Sequence, residues 1–212
     1  MRSKFDEQLH MLNTHLTEMG ALCEDAISSA VKYLEEGDEK MKSACIEADK
    51  KIDLKERDIE SLCMKLLLRQ QPVARDLRLI SSALKMISDM ERIGDQASDI
   101  AEIAPYVTKS GLESKTHISD MAKASIKMVT ESVESFVRDD FSLAQNAIAH
   151  DDVVDSLFDK VKKEVIEAIE KKSGNAEALI DLLMIAKYFE RIGDHAENIA
   201  EWVIFSETGI HK

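Results

Sequence analysis

The pentapeptide Glu-Arg-Ile-Gly-Asp occurs twice, as Glu91–Asp95 and again as Glu190–Asp194. Each copy places two carboxylates four residues apart, one helical turn, with a glycine between them. Two further acid pairs share this spacing: Asp49 with Asp53, and Asp151 with Asp155. Carboxylates gathered without matching cations suit hard cations or oxygen-preferring transition metals, and several carboxylates can bridge more than one ion. Like charges at i,i+4 otherwise oppose each other by a few tenths of a kcal/mol on an exposed helix, about 0.2–0.5. The competing expectation is a surface salt-bridge ladder: Arg92 lies three residues from both Asp89 and Asp95, Lys187 from Glu190, and Arg191 from Asp194.

The register of the chain favours the metal reading. Asp53 lies as far before Pro72 as Glu91 lies after it, and Asp49 as far before as Asp95 after. An antiparallel helical hairpin turning at Pro72 therefore brings these four acids to one level. Asp155 with Glu190, and Asp151 with Asp194, are likewise symmetric about the Lys172-Ser173 turn region. Two independent hairpins give the same registry. Gly94 and Gly193 each cost about 1 kcal/mol relative to Ala inside a helix. A close approach by a neighbouring helix explains them most simply, with a kink as the alternative.

The elements that must carry these groups follow from periodicity and punctuation. Six helices are expected, over about residues 5–36, 39–70, 74–104, 112–137, 141–172 and 176–206. Leu9, Leu12, Leu16, Met19, Cys23, Ala26, Ala30 and Tyr33 form a 3-4 seam typical of a bundle. Gly37 breaks the first helix, Asp38 can cap the second and Asn175 the sixth. Pro72 ends the second, and the third is expected to stop near Pro105, opening a linker to Gly111. On the third helix Ile80, Leu84 and Ile87 share a face with Glu91, Asp95, Ser98 and Glu102. On the sixth, Leu179, Leu183 and Ala186 share one with Glu190, Asp194, Glu197 and Glu201. Each face thus begins apolar and turns acidic halfway along.

Residues 91–102 and 190–201 are identical at nine of twelve positions, at an offset of 99. The expected fold is all-α: a tandem repeat of two three-helix bundles, residues 1–107 and 111–212, built from long antiparallel helices. Composition agrees. Only 7 Gly and 2 Pro interrupt a chain that is 44% hydrophobic. The net charge of −13 argues against a general nucleic-acid binder and suits cations or basic patches on a partner, although a merely soluble surface is the plainer reading.

Cys23, Cys45 and Cys63 fall at core spacings, with no Cys-x-x-Cys pair, so they read as buried thiols of a cytosolic protein rather than as disulfides or a zinc site. No apolar run is long enough to span a bilayer, and the start has no signal-peptide character. Methionines such as Met86, Met90 and Met184 read as core filler. His150 and His195 border the acid stretches and are candidate outer ligands. The one Glu-x-x-His, at Glu7–His10, is short of the two that a ferritin-like di-iron bundle needs. There is no glycine-rich phosphate loop, Gly-x-Ser-x-Gly or His-Glu-x-x-His. The chain is therefore expected not to be an enzyme; a carboxylate-cluster metalloenzyme or metal store is the alternative.

The chain resembles the PhoU family along nearly its whole length. The resemblance rests on Pro72-Val73-Ala74-Arg75-Asp76-Leu77-Arg78, on Asp89–Asp95, and on Phe189–Glu201. It implies acid pairs that hold iron or zinc clusters, here Asp49 and Asp53 with Glu91 and Asp95, and Asp151 and Asp155 with Glu190 and Asp194. It also implies a cytoplasmic, commonly dimeric, negative regulator of the phosphate-starvation response. Such a regulator links the ATPase subunit of the phosphate transporter to a sensor histidine kinase. Some members instead accompany low-affinity phosphate permeases. The first repeat departs from the fuller pattern: Gln96, Ser98 and Asp99 stand where the second has His195, Glu197 and Asn198. The Arg75–Arg78 stretch has no counterpart in the second repeat, an asymmetry that suggests different partners for the two halves.

Overall fold

The computed structural model describes residues 2–70, 72–110, 116–172 and 174–210. They form α1 (Arg2–Glu36), α2 (Glu39–Gln70), α3 (Ala74–Lys109), α4 (Thr116–Arg138), α5 (Phe141–Glu170) and α6 (Ala176–Thr208). The punctuation acts as its chemistry dictates. Gly37 takes a left-handed φ of +70° and closes α1 by donating to the Tyr33 carbonyl at 2.8 Å. Asp38 accepts from the Lys40 amide at 2.9 Å, and Asn175 from the Glu177 amide at 3.0 Å. Asp139 takes a left-handed turn at φ +55°, and Asp140 caps α5 by accepting from the Leu143 amide at 3.1 Å.

α3 does not stop at Pro105 but runs one turn further, to Lys109. Proline removes one hydrogen bond from the ladder, yet tertiary contacts hold the last turn. Ala104 and Val107 are buried, and Thr108 Oγ1 donates to the carbonyls of Leu34 and Ala104 at 3.0 Å each. The remainder of the expected linker, at Gly111, lies outside the described residues.

α1, α2 and α3 pack as one three-helix unit, and α4, α5 and α6 as another. The units meet through α3 against α6 and α1 against α4. Both pairs run antiparallel. Asp89 meets His195 while Arg78 meets Ser206, and Gly20 approaches Val133 while Glu24 meets Thr130. α3 and α6 form the spine, buried on several faces, and α2 and α5 flank it with one apolar face each. The seam residues Leu12, Leu16, Met19, Cys23, Ala26 and Ala30 are fully buried, as are Cys45, Cys63, Met86 and Met90. Met184 departs from the expectation: it faces outward from α6 and is 40% exposed. Among the described residues no helix is long and apolar enough to cross a membrane.

The two repeats carry equivalent small contacts. Cys23 Sγ on α1 lies 3.4 Å from the Met90 carbonyl, and Ser125 Oγ on α4 lies 3.2 Å from the Phe189 carbonyl. Each fastens the first helix of its unit just before the Glu-Arg-Ile-Gly-Asp stretch of the third.

Candidate metal centres

The two acid stretches occupy matching places, one between α2 and α3, the other between α5 and α6. The helix glycines are the key to each. A Cβ at Gly94 would lie 2.8 Å from Asp49 Oδ1 and 3.0 Å from Ile52 Cδ1. At Gly193 it would lie 3.1 Å from Asp151 Oδ1 and 3.4 Å from Val154 Cγ1. Each glycine thus opens a notch in the third helix of its unit, and an aspartate of the flanking helix fills it. Asp49 Oδ1 and Asp151 Oδ1 are buried there without a hydrogen-bond partner. A buried, unpaired carboxylate oxygen is strongly disfavoured unless something positive or a proton meets it.

In the first stretch Asp49 is pushed above the ordinary aspartate range by burial, and further by the charges of Asp53, Asp95 and Asp99. Ser98 acts the other way, although its own hydroxyl, like Asp49 Oδ1, has no hydrogen-bond partner. Glu91, 25% exposed, is raised by partial burial and by Asp95, with Glu56 and Asp53 adding to the effect. Arg92 opposes this, its guanidinium 3.6 Å from Glu91 and 3.2 Å from Asp95. Across the two helices Asp95 thus acts on Asp49 and Asp53 on Glu91, the two pairings that the Pro72 hairpin predicts.

In the second stretch Asp151 is pushed up to about 7 by burial and by the surrounding Glu197, Asp155, Asp194 and Glu190. Lys187 closes on both oxygens of Glu190, the ion pair expected from the sequence, and also lies 5.6 Å from the centre of the Phe158 ring. Arg191, expected at Asp194, lies over the Tyr188 ring at 6.0 Å, and its charge acts on Asp99 across the repeat boundary.

Three further acids enter the stretches. Glu56 follows Asp53 by three residues on the same face of α2 and accepts from Ser88 Oγ at 3.4 Å. Glu197 is raised by burial and by Glu201, Asp194 and Asp155. Asp99 is raised by burial and by Glu102 and Asp95. Helical spacing alone could have found Glu56, and Asp99 too, four residues after Asp95 on α3; across the repeat boundary Arg191 and Tyr188 work against the rise of Asp99.

The histidines are engaged elsewhere. His150 Nδ1 lies 2.6 Å from Glu131 and its Nε2 3.0 Å from Lys127, so both ring nitrogens face α4. His195 Nδ1 lies 2.9 Å from Asp89 of the other repeat. His150 is thus turned towards α4, while His195 reaches the other repeat and its charge also acts on Asp194 of its own stretch.

Among the described residues no three or more His, Cys, Asp or Glu side chains are grouped so that, as they stand, they could hold a metal ion. The donor types nonetheless suit a hard or borderline cation: oxygen-only, acid-rich, with one unpaired buried carboxylate oxygen per stretch.

The PhoU domain profile matches residues 16–104 and 118–203, so each match spans one acid stretch. The phosphate-specific transport system accessory protein PhoU homolog 1 of Thermotoga maritima is 32% identical over 207 residues, covering 97% of this chain and 89% of that protein. A PhoU homolog of Pseudomonas aeruginosa with the same accessory-protein description is 33% identical over 208 residues, covering 97% and 86%. The crystal structure of PhoU from Pseudomonas aeruginosa superposes with a TM-score of 0.89 at 33% identity, covering 97% of this chain and all of that one. That of the phosphate transport system regulatory protein PhoU from Streptococcus pneumoniae gives 0.90 at 27% identity, covering 98% and 99%.

Proposed function

The chain belongs to the PhoU family, and from that premise we propose that it is an accessory regulator of phosphate transport whose two acid stretches bind metal. Its relatives are described as accessory or regulatory proteins of phosphate transport, which supports a regulatory role rather than turnover of a substrate. One observation carries the metal part. Asp49 and Asp151 present a buried, unpartnered oxygen at equivalent notches, each within a group of acids that repel one another.

Asp49, Asp53, Glu91 and Asp95 would hold iron or zinc between α2 and α3. Asp151, Asp155, Glu190 and Asp194 would do so between α5 and α6. The metal would supply the positive charge that the acids lack and cross-link the flanking helix to the spine. With the acids neutralised, α2 and α5 present fixed outer faces. On this reading those faces meet the transporter's ATPase subunit and a sensor histidine kinase at the cytoplasmic side of the membrane. The protein holds the starvation response off while phosphate enters. The acidic surface of the chain suits basic patches on such partners and speeds their encounter.

Metal content of the purified protein by elemental mass spectrometry tests the first part, comparing wild type with Glu91→Ala/Glu190→Ala. Near-stoichiometric iron or zinc lost in the variant is expected. No metal in either, even after incubation with excess ion, sinks the metal reading. The regulatory part is tested by deleting the gene and following a starvation-induced phosphatase at high phosphate. Expression should rise and return to baseline on complementation. Unchanged expression, with altered uptake through a low-affinity permease, moves the protein to that second setting.

A further inference from the structure

The start of α3 carries Arg75 and Arg78, and both reach across to the second repeat. Arg78 donates from Nε to the Ser206 carbonyl at 3.1 Å and from Nη2 to the Glu207 carbonyl at 3.3 Å. These are last-turn carbonyls of α6, among those a helix leaves without an internal partner. The guanidinium therefore caps α6, and its positive charge meets the negative end of the helix dipole. The left-handed Gly209 closes α6 against the side chain of Arg78, where a Cβ would lie 3.6 Å from Cδ. Arg75 Nη2 lies 2.8 Å from Asp139 Oδ2 in the α4–α5 turn and 3.3 Å from Glu207 Oε2. Asp139 is one of two described non-glycine residues with positive φ, so this arm holds a turn that the backbone alone does not favour.

The repeat relation makes the arrangement one-sided. Ninety-nine residues on from Arg75 and Arg78 stand Gly174 and Glu177, so the start of α6 brings no cation to the end of α3. That end is tied within its own repeat instead, by Thr108 to the Leu34 carbonyl at 3.0 Å.

We propose that Arg75 and Arg78 form a latch between the repeats. They fasten the spine pair α3/α6 at the end where α3 starts and α6 finishes, so the repeats open against each other from the opposite end. The latch would make the junction of α3's end with α6's start the moving edge of the molecule. It uses no residue of the acid stretches and stands whether or not they bind metal.

Hydrogen exchange of the full-length protein, followed by mass spectrometry, tests this. In the wild type, residues 104–109 and 181–186 should exchange about tenfold faster than residues 203–208 and 136–141. Equal protection at the two ends overturns the latch. In Arg75→Gln/Arg78→Gln the difference should vanish because residues 203–208 and 136–141 speed up while the far end stays as it was. A uniform rise at both ends makes the arginines general stabilisers and overturns the proposal. Should the double variant not fold, Arg75→Gln alone, at a side chain 60% exposed, should speed exchange in residues 136–141 only. No change there overturns the Arg75 arm. Raising salt from 0.05 M to 1 M should loosen residues 136–141, held by an exposed ion pair, and spare residues 203–208, held by bonds to carbonyls. Equal loosening of both is the result against it.

Discussion

The acid stretch between α2 and α3 and its repeat between α5 and α6 share one plan and differ in how the plan is balanced. In the first, Ser98 stands beside Asp49 and works against its rise, and the cation is Arg92, 60% exposed and spread over two acids. In the second, Glu197 replaces that serine, adding a carboxylate to the same face, and Lys187 is committed to Glu190, only 14% exposed. Asp151 accordingly rises to about 7, with Glu197 the foremost charge acting on it. A duplicated motif has kept its geometry while its charge balance has diverged. The second stretch is the more frustrated without a cation.

The notch is where the two differ most in space, and filling it should give the largest effect. Gly94→Ala forces a methyl to 2.8 Å from Asp49 Oδ1 and 3.0 Å from the fully buried Ile52. Overpacking of this kind costs about 1–3 kcal/mol. At Gly193 the contacts are 3.1 and 3.4 Å, and Ala gains about 1 kcal/mol of helix propensity over Gly. The same gain offsets part of the cost at Gly94, so Gly94→Ala should lower the melting temperature by up to about 8 °C, while Gly193→Ala should leave it within about 3 °C of wild type. Thermal unfolding of both variants checks this. Equal losses would make the two notches equivalent.

The architecture is legible along the chain because local and global signals agree. The Pro72 hairpin register puts Asp53 and Glu91 on one level from counting alone, and Asp38 and Asn175 cap where their side chains dictate. What the chain does not reveal lies between the repeats. Helix periodicity says which face is buried but not against what. Hence His195 reads only as a neighbour of its own acid stretch, and its contact with Asp89 of the other repeat is not visible along the chain. Arg191 reads as a partner of Asp194, whereas it lies over Tyr188. Pro105 reads as a stop because proline's local effect is known and the holding bond from Thr108 to Leu34, 74 residues away, is not visible along the chain. Arg75 and Arg78 stand out only as an asymmetry.

The second expected difference is in pH dependence. Asp151 titrates near 7 in the folded protein and near 3.8 when unfolded. As pH rises from about 4 to 7 the unfolded chain gives up this proton first, so the folded state loses stability through that window and no further above it. Asp151→Asn removes this contribution. Metal-free protein should melt at lower temperature at pH 8 than at pH 5.5, and the variant should narrow the gap. Asp49→Asn has the same sign and should narrow it less, because Ser98 already offsets part of the rise. Bound metal takes the ionised form, so adding it should reverse the Asp151 contribution. A gap untouched by Asp151→Asn would place the titration elsewhere.

The smallest difference is in the compensating cations. Arg92 and Asp95 are 60% and 40% exposed, and exposed pairs contribute about 0.2–1 kcal/mol at most. Losing Arg92 leaves acids that water still reaches. Lys187→Ala is different in kind. It leaves Glu190 mostly out of water, next to Asp194, with its closest cation gone, and it strips the ammonium from the Phe158 ring. An unpaired, partly buried acid is disfavoured by more than the pair contributes, on the order of 1–3 kcal/mol. Lys187→Ala should thus lower the melting temperature by more than Arg92→Ala, and 1 M salt should shrink the smaller effect further while sparing much of the larger. If metal binds the second stretch, the order inverts when it is added. Lys187 then competes with the ion for Glu190, and removing it should tighten binding there, whereas Arg92→Ala changes the first stretch less. An isothermal titration of each variant reads the two cases apart.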